Sequence, residues 1–379
     1  MSKKALPVPK GSFAVGTKTF TVYDDREETL YCAPGTMRSI SARVYYPADA
    51  QCIKGLAKAQ SMSRNMLKAI SRNMHIPLNY DKLTKKGENT SCCYENATAT
   101  AGQKFPLVLY NHGYGAYRDC NSLLLIDLAS RGYVVISIAH PYEEMLTELD
   151  DGRTIEMAKG IAKKCYSPYF KSVKALKSLL KASGSNEELY RRFDSMQRTY
   201  NSFLIDRVSE WEKDNLAILR YAKQELSDII DLTRGAGVTG HSFGGAVAFA
   251  LCEDYPELFS CGINMDGGLF GEHEGKVTKT PFMQITSESN ANAVTRGFIY
   301  HTAPAYHAVF KDMEHLGFTD MKYQIPLKSM VGKLDCDIAH DRLSDLHGEF
   351  FAYYLKGVKE SPALKSDEWV RVSEFAPDM

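Results

Sequence analysis

The segment Gly240-His241-Ser242-Phe243-Gly244-Gly245 constrains this chain more than any other. It has the form G-x-S-x-G, and its surroundings give the pattern weight. The short apolar run Ala236 to Thr239 enters it, and the small-residue run Ala246-Val247-Ala248-Phe249-Ala250-Leu251 leaves it as a helix. A serine held in a tight strand-to-helix turn is pushed out at the C-terminal edge of a sheet. Gly240 and Gly244 leave room for neighbouring backbone in such a turn. The helix that follows supplies backbone N–H groups and a favourable dipole. Ser242 is therefore the expected nucleophile. The competing reading is an incidental serine in a glycine-rich turn.

The rest of the chain supplies the sheet that such a turn needs. Apolar runs at Phe20 to Tyr23, Ala42 to Tyr46, Pro106 to Tyr110, Tyr133 to Ile138, Gly262 to Met265, Phe282 to Thr286 and Tyr306 to Phe310 read as strands. Runs without alternation suit strands buried on both faces. Helical patterns at Ser122 to Ser130, Val208 to Leu226 and Ala246 to Tyr255 lie between them, and Leu343 to Leu355 reads as a closing helix. Strands alternating with helices predict an α/β fold, a mostly parallel central sheet flanked by helices. With the serine turn, this is the α/β-hydrolase pattern, expected as a single domain over residues 1–379.

Two segments break the alternation. Lys54 to Met74 carries Met62, Met66, Ile70 and Met74 at helical spacing, beside Lys54, Lys58, Arg64, Lys68 and Arg72 and no acid. Residues 143–206 read as a helical insertion that caps the nucleophile, with Lys163, Lys164, Lys171, Lys174, Lys177 and Lys181 beside Tyr169, Phe170, Val173, Leu176 and Leu180. Phe170 and Leu176 are the candidate substrate-binding residues in it. The two basic segments suggest peripheral contact with an anionic membrane surface.

Composition narrows the classes further. Lys+Arg and Asp+Glu both number 46, so there is no overall pull toward nucleic acid. The start lacks the apolar run of a secretory signal and no segment approaches a membrane span, so a cytoplasmic location is expected. Nine scattered cysteines do not read as a disulfide framework. No cluster has zinc-ligand spacing, and neither metal nor cofactor is expected.

A serine nucleophile needs a base, an acid and an oxyanion hole. Asn111-His112-Gly113-Tyr114-Gly115 follows the Pro106 to Tyr110 strand, and its glycines would expose the amide of Tyr114; the second donor is the amide of Phe243, next to the nucleophile. His112 precedes the serine and is read as a structural loop residue. Downstream histidines are His273, His301, His307, His315, His340 and His347. His315 is preferred, because it follows the Ala308-Val309-Phe310 run as a loop after the last core strand would. Asp266, at the end of Gly262 to Met265 and before Gly267-Gly268, is preferred as the acid over Glu288.

The segments FPLVLYNHGYGAYR, IDLASRGYVVISIAHP, GVTGHSFGGAVAFAL and CGINMDGGLFG, in this order, resemble the plasma-type platelet-activating factor acetylhydrolase family. The resemblance covers about residues 105 to 320, and RVYYPA more weakly. It implies a Ser-Asp-His triad at Ser242, Asp266 and the histidine of MEHLGFTD, His315, with oxyanion donors at Tyr114 and Phe243. It also implies esterase chemistry without a metal, on short or oxidised acyl groups of phospholipids. The expected activity is thus carboxylic-ester hydrolysis through an acyl-enzyme, on a small-molecule ester or a lipid. Thioester, amide or lactone cleavage by the same triad, or a non-catalytic binding protein on this fold, are the alternatives.

Overall fold

Every apolar run read above as a strand lies in one, save that Tyr133 precedes the strand Val134–Ile138. The computed structural model describes residues 6–30, 34–75, 77–79, 90–324, 328–358 and 360–375. In chain order the principal elements are β1 (Ala14–Glu27), β2 (Met37–Ala48), β3 (Lys58–Gln60), α1 (Arg64–Met74), β4 (Thr90–Glu95), β5 (Phe105–Asn111), α2 (Ser122–Ser130) and β6 (Val134–Ile138). Then come β7 (Leu146–Glu148), β8 (Thr154–Glu156), α3 (Ile161–Leu180), α4 (Asn186–Tyr200), α5 (Ser202–Glu225), β9 (Ile230–Asp231), β10 (Ala236–His241) and α6 (Phe243–Asp254). The last are β11 (Phe259–Met265), β12 (Phe282–Ser287), β13 (Ala305–Phe310), α7 (Cys336–Phe351) and β14 (Val370–Phe375).

The chain divides into two compact units. The first comprises Met1–Leu107, Tyr114–Lys159 and Asp214–Asp231; the second comprises Val108–Gly113, Gly160–Lys213 and Leu232–Met379. In the first, β1 pairs antiparallel with β2 and parallel with β4, and β2 pairs antiparallel with β6. Its helix α2 is buried along its whole length, which is why Ser122 to Ser130 is apolar nearly all round.

In the second unit the end of β5 and then β10, β11, β12 and β13 pair in parallel, and β14 closes the edge antiparallel to β13. β10 and β12 are buried at every residue, as expected of strands covered on both faces. Helix α6 is buried from Phe243 to Glu253, and its run of small residues lets it lie close on the sheet. The parallel strands send their C-terminal ends to one edge, and the candidate residues of this unit gather there.

Three expectations change in detail. Lys54 to Met74 is not one helix: Lys58–Gln60 is a strand, and α1 begins only after Ser63, whose hydroxyl caps it by accepting from the Met66 amide at 2.9 Å. Met62, Met66 and Ile70 are buried, while Met74's side chain lies outside the described residues. Met62 and Met66 line a cavity of about 390 Å³ with Arg43, Tyr117, Asp119 and Glu148. Segment 143–206 opens with the β7–β8 hairpin before α3 and α4, and its far boundary falls inside α5. The closing helix starts earlier than Leu343, at a cap made by Asp335, and is followed by the strand β14. Among the described residues no helix is long and apolar enough to cross a membrane.

Candidate active site

Strand β10 ends at His241, and Ser242 turns the chain into α6 with φ 55°, ψ −122°. Positive φ is rare and strained for a residue with a Cβ. The surroundings hold it there. The Ser242 amide donates to the Met265 carbonyl at 2.8 Å, and its own carbonyl accepts from Gly245 at 2.9 Å. The glycines are needed for room: a Cβ on Gly240 would lie 2.1 Å from the Gly244 carbonyl oxygen, and one on Gly244 would lie 2.2 Å from that of Asn111.

The Ser242 hydroxyl lies 2.9 Å from Nε2 of His315. Nδ1 of His315 lies 2.7 Å from Oδ2 of Asp266. An ionised carboxylate only accepts, so Nδ1 carries the proton and Nε2 is left to take the serine's. This is the arrangement of a nucleophile, a base and an orienting acid. Asp266 comes from the end of β11, itself at φ 55°, and His315 from a 3₁₀ turn (His315–Phe318) five residues after β13. The imidazole side chain is 42% exposed and the carboxylate is fully buried, so the reacting end of the pair is open and the orienting end is dry.

Asp266 is supported on both oxygens. Oδ1 accepts from the Ser287 amide at 2.7 Å and the Ser287 hydroxyl at 2.9 Å, and Oδ2 accepts from the Asn290 amide group at 2.7 Å as well as from His315. Burial alone would push its pKa up; the hydrogen bonds from His315, Ser287 and Asn290 outweigh this and hold it below the usual value. Asn264 shapes the loop behind it. Its Nδ2 donates to the Gly267 carbonyl at 2.7 Å, and its Oδ1 accepts from the Gly267 amide at 3.0 Å.

Ser287, Asn290 and Asn264 were missed in the sequence. Ser287 could have been found, because it ends the strand that pairs in parallel with β11 and so arrives beside Asp266. Glu288, the alternative acid, is exposed. The other histidines are engaged elsewhere: His273 with Glu253 at 2.7 Å, His301 with the Ala303 carbonyl at 2.6 Å, His307 with Thr286 at 2.8 Å and His347 with Thr239 at 3.2 Å. His340 lies on α7, near Ser344.

Two loops flank the serine in this unit. Residues Asn111 to Gly113 pass beside it: a Cβ on Gly113 would lie 3.1 Å from that of Ser242. His112 is buried, its ring 5.1 Å from that of Trp211, which in turn is 4.9 Å from Phe243. Phe243, first residue of α6, places its amide at the positive end of the helix. Tyr114 continues the chain after Gly113 and belongs to the first unit, where the next residue is anchored by the Gly115 amide donating to the Glu143 carbonyl at 2.9 Å.

The insertion reaches the acid loop. Gln197 of α4 donates to the Leu269 carbonyl at 3.1 Å, and Phe193 stands 6.0 Å from Phe270. Leu176 is half-buried against Leu179, Leu189, Phe193, Met196 and Ala293, a helical cluster that gives it packing partners. Phe170 falls on α3, and its side chain lies outside the described residues.

The fold and this site define a serine-type carboxylic-ester hydrolase of the α/β-hydrolase class. A family model described as "Platelet-activating factor acetylhydrolase, isoform II" matches residues 1–333, and the chain belongs to that family. It is 25% identical over 358 residues to the platelet-activating factor acetylhydrolase of Cavia porcellus, covering 84% of this chain and 73% of the relative. It is 30% identical over 219 residues to that of Bos taurus, covering 53% of this chain and 44% of the relative, and 27% identical over 286 residues to that of Canis lupus familiaris, covering 73% and 58%. Among solved structures it is similar to a ferulic acid esterase from Streptomyces cinnamoneus, with TM-score 0.68, 21% identity and 97% of each chain covered. That likeness carries the fold.

Proposed function

We propose that this chain hydrolyses short-chain or oxidised acyl esters of lipids through an acyl-enzyme on Ser242. The carrying observation is the unbroken chain Ser242 Oγ, His315, Asp266 with its two contacts of 2.9 and 2.7 Å. His315 takes the serine proton as Oγ attacks the ester carbonyl. Asp266 holds the tautomer and stabilises the imidazolium. The amide of Phe243, at the start of α6, receives the developing oxyanion; such a donor is worth roughly 10²–10³ in rate. The imidazolium then protonates the departing alkoxide, leaving an acyl-serine. Water, deprotonated by His315, attacks that acyl group, and the acid is released with Ser242 restored.

The names of the relatives point to an acetyl group on a lipid as the preferred ester. A nitrophenyl ester series from acetyl to palmitoyl, run beside a phospholipid bearing a short acyl chain, tests this. We expect turnover to fall as the acyl chain lengthens. A preference for long chains, for thioesters or for amides would overturn the lipid-ester reading. We assign the 143–206 insertion to a cap that sets acyl length, supported by the packing of α4 on the acid loop. Phe170→Ala and Leu176→Ala should then widen the chain-length profile; an unaltered profile rejects their part in it.

The basic surfaces support a second element of this reading. On α3, Lys163, Lys164, Lys171, Lys174 and Lys177 are exposed and no acid accompanies them. Lys54, Lys58, Arg64 and Lys68 are also exposed. Each lysine near an anionic lipid surface contributes about 1 kcal/mol. Met62 and Met66 are buried, so their contact with an anionic membrane is not expected and binding would be electrostatic. Co-sedimentation with anionic vesicles should be lost at high salt; binding that survives high salt, or none at low salt, would reject this contact.

A further inference from the structure

The residue before the nucleophile has a task of its own. His241 is 2% exposed. Its Nε2 lies 3.0 Å from the backbone carbonyl oxygen of His315. A carbonyl only accepts, so Nε2 carries the proton and donates. Nδ1 is then bare, buried and without a hydrogen-bond partner. It faces Gly113, where an added Cβ would lie 3.2 Å away. The rings of His241 and His315 are 4.7 Å apart, with planes inclined by 38°.

We propose that His241 is a positioning residue for the base, holding the main chain of His315 through its Nε2–H and supporting the imidazole from one side while itself staying uncharged. This rests on the reading of Ser242, His315 and Asp266 as the catalytic site. The need for a second anchor follows from the exposure of His315. Asp266 holds one nitrogen of its ring, and a single hydrogen bond leaves the ring free to pivot about it. The carbonyl bond fixes the other end of the residue, so the line from Nε2 to Ser242 is set from both sides. A misplacement of about 1 Å costs roughly 10²-fold in rate.

The uncharged state has a physical cause. Burial pushes the His241 pKa down, to about 3, and the neighbouring His315 pushes the same way. The carbonyl contact and Asp266 oppose this more weakly, and Lys322 adds to the depression. His241 therefore places no second positive charge beside the imidazolium that His315 becomes during turnover. Its bare Nδ1 is also a poor competitor for the serine proton, because burial and the neighbouring His315 disfavour its charged form.

Two variants separate the bond from the ring. His241→Phe keeps an aromatic ring and removes the donor. His241→Gln removes the ring and offers an amide N–H near the Nε2 position. On a short-chain nitrophenyl ester, His241→Phe should lower kcat about 10²-fold with little change in KM, and should displace the pH profile of kcat/KM. His241→Gln should recover most of the loss. Near-parent kcat and an unmoved profile in both variants would overturn the proposal, as would an active Phe variant beside an impaired Gln variant. Ser242→Ala, run in parallel, guards the underlying reading: if it retains activity, the site assignment has failed rather than the role of His241. Should neither variant fold, ¹⁵N spectra of the parent decide. His241 should remain a neutral Nε2–H tautomer from about pH 5 to about pH 9, and a titration of its ring inside that range would overturn the proposal.

Discussion

Gly113 and Ser242 meet almost in van der Waals contact: a Cβ on the glycine would lie 3.1 Å from the serine Cβ. Neither side has slack. Ser242 is held at positive φ with its amide bonded to Met265, and the neighbouring ring of His241 is buried. Gly113 itself is outside the left-handed region. Gly113→Ala should therefore be tolerated by the backbone but displace the nucleophile. We expect kcat to fall roughly 10-fold to 10²-fold, with destabilisation of about 1–3 kcal/mol. Steady-state kinetics and urea melts check this, and an unchanged kcat would show that the serine turn can yield.

Ser242→Ala and His315→Ala should each lower turnover by several orders of magnitude, and the double variant should lose little more, because the groups act as a unit. Labelling by a fluorophosphonate should vanish in Ser242→Ala and slow greatly in His315→Ala. Normal labelling in His315→Ala would remove it as the base.

Asp266→Asn should cost roughly 10³–10⁴-fold in kcat, because an amide can stabilise the wrong tautomer of His315. Ser287→Ala and Asn290→Ala each remove one donor to the carboxylate, and should cost less than Asp266→Asn. Glu288→Gln should change little. A ranking with Glu288 above Asp266 would move the acid to the end of β12.

The first unit offers a pH test independent of catalysis. Asp119 is gripped by Arg118 at 2.9 Å and Arg43 at 3.1 Å. Burial opposes its ionisation, yet the two guanidiniums hold its pKa down at about 2. A folded-state pKa below the unfolded value of about 3.9 stabilises the fold above that value. This stability is lost as pH falls toward about 2. The stability difference between the parent and Asp119→Asn should be full at about pH 6 and shrink below about pH 4. Urea melts across this range measure it; a difference independent of pH would show that the carboxylate's charge is not what stabilises.

The three residues that meet here, the proposed triad, were legible because each ends or follows an apolar run. Ser242 has the turn glycines and a strand before it, Asp266 has a strand before and Gly267-Gly268 after, and His315 follows the run that became β13. What supports them was less readable. Ser287 could be placed only from the end of the strand beside β11, and Asn290 and His241 act through partners that the chain meets only once folded, which no local spacing announces. The helix expected from Lys54 was too long for a related reason. The methionine spacing looked continuous, but Ser63 ends its helical reach by capping α1, and Met62 is buried for other reasons. Strand β14 did carry a signal: Val370-Arg371-Val372 alternates, as a strand with one covered face should.

That strand has a consequence beyond the site. β13 reads Ala-Tyr-His-Ala-Val-Phe, mostly buried, and β14 pairs along it from Ala305 to Phe310. The outer strand is mixed instead, with Arg371 and Glu374 on it and only Val370 buried. A row of unsatisfied amides and carbonyls on apolar β13 would be a template for any passing chain, whereas a short charged strand is a poor one. Strand β14 thus covers an edge that, left open, would favour self-association. Removing it should yield a protein that precipitates before it loses its nucleophile.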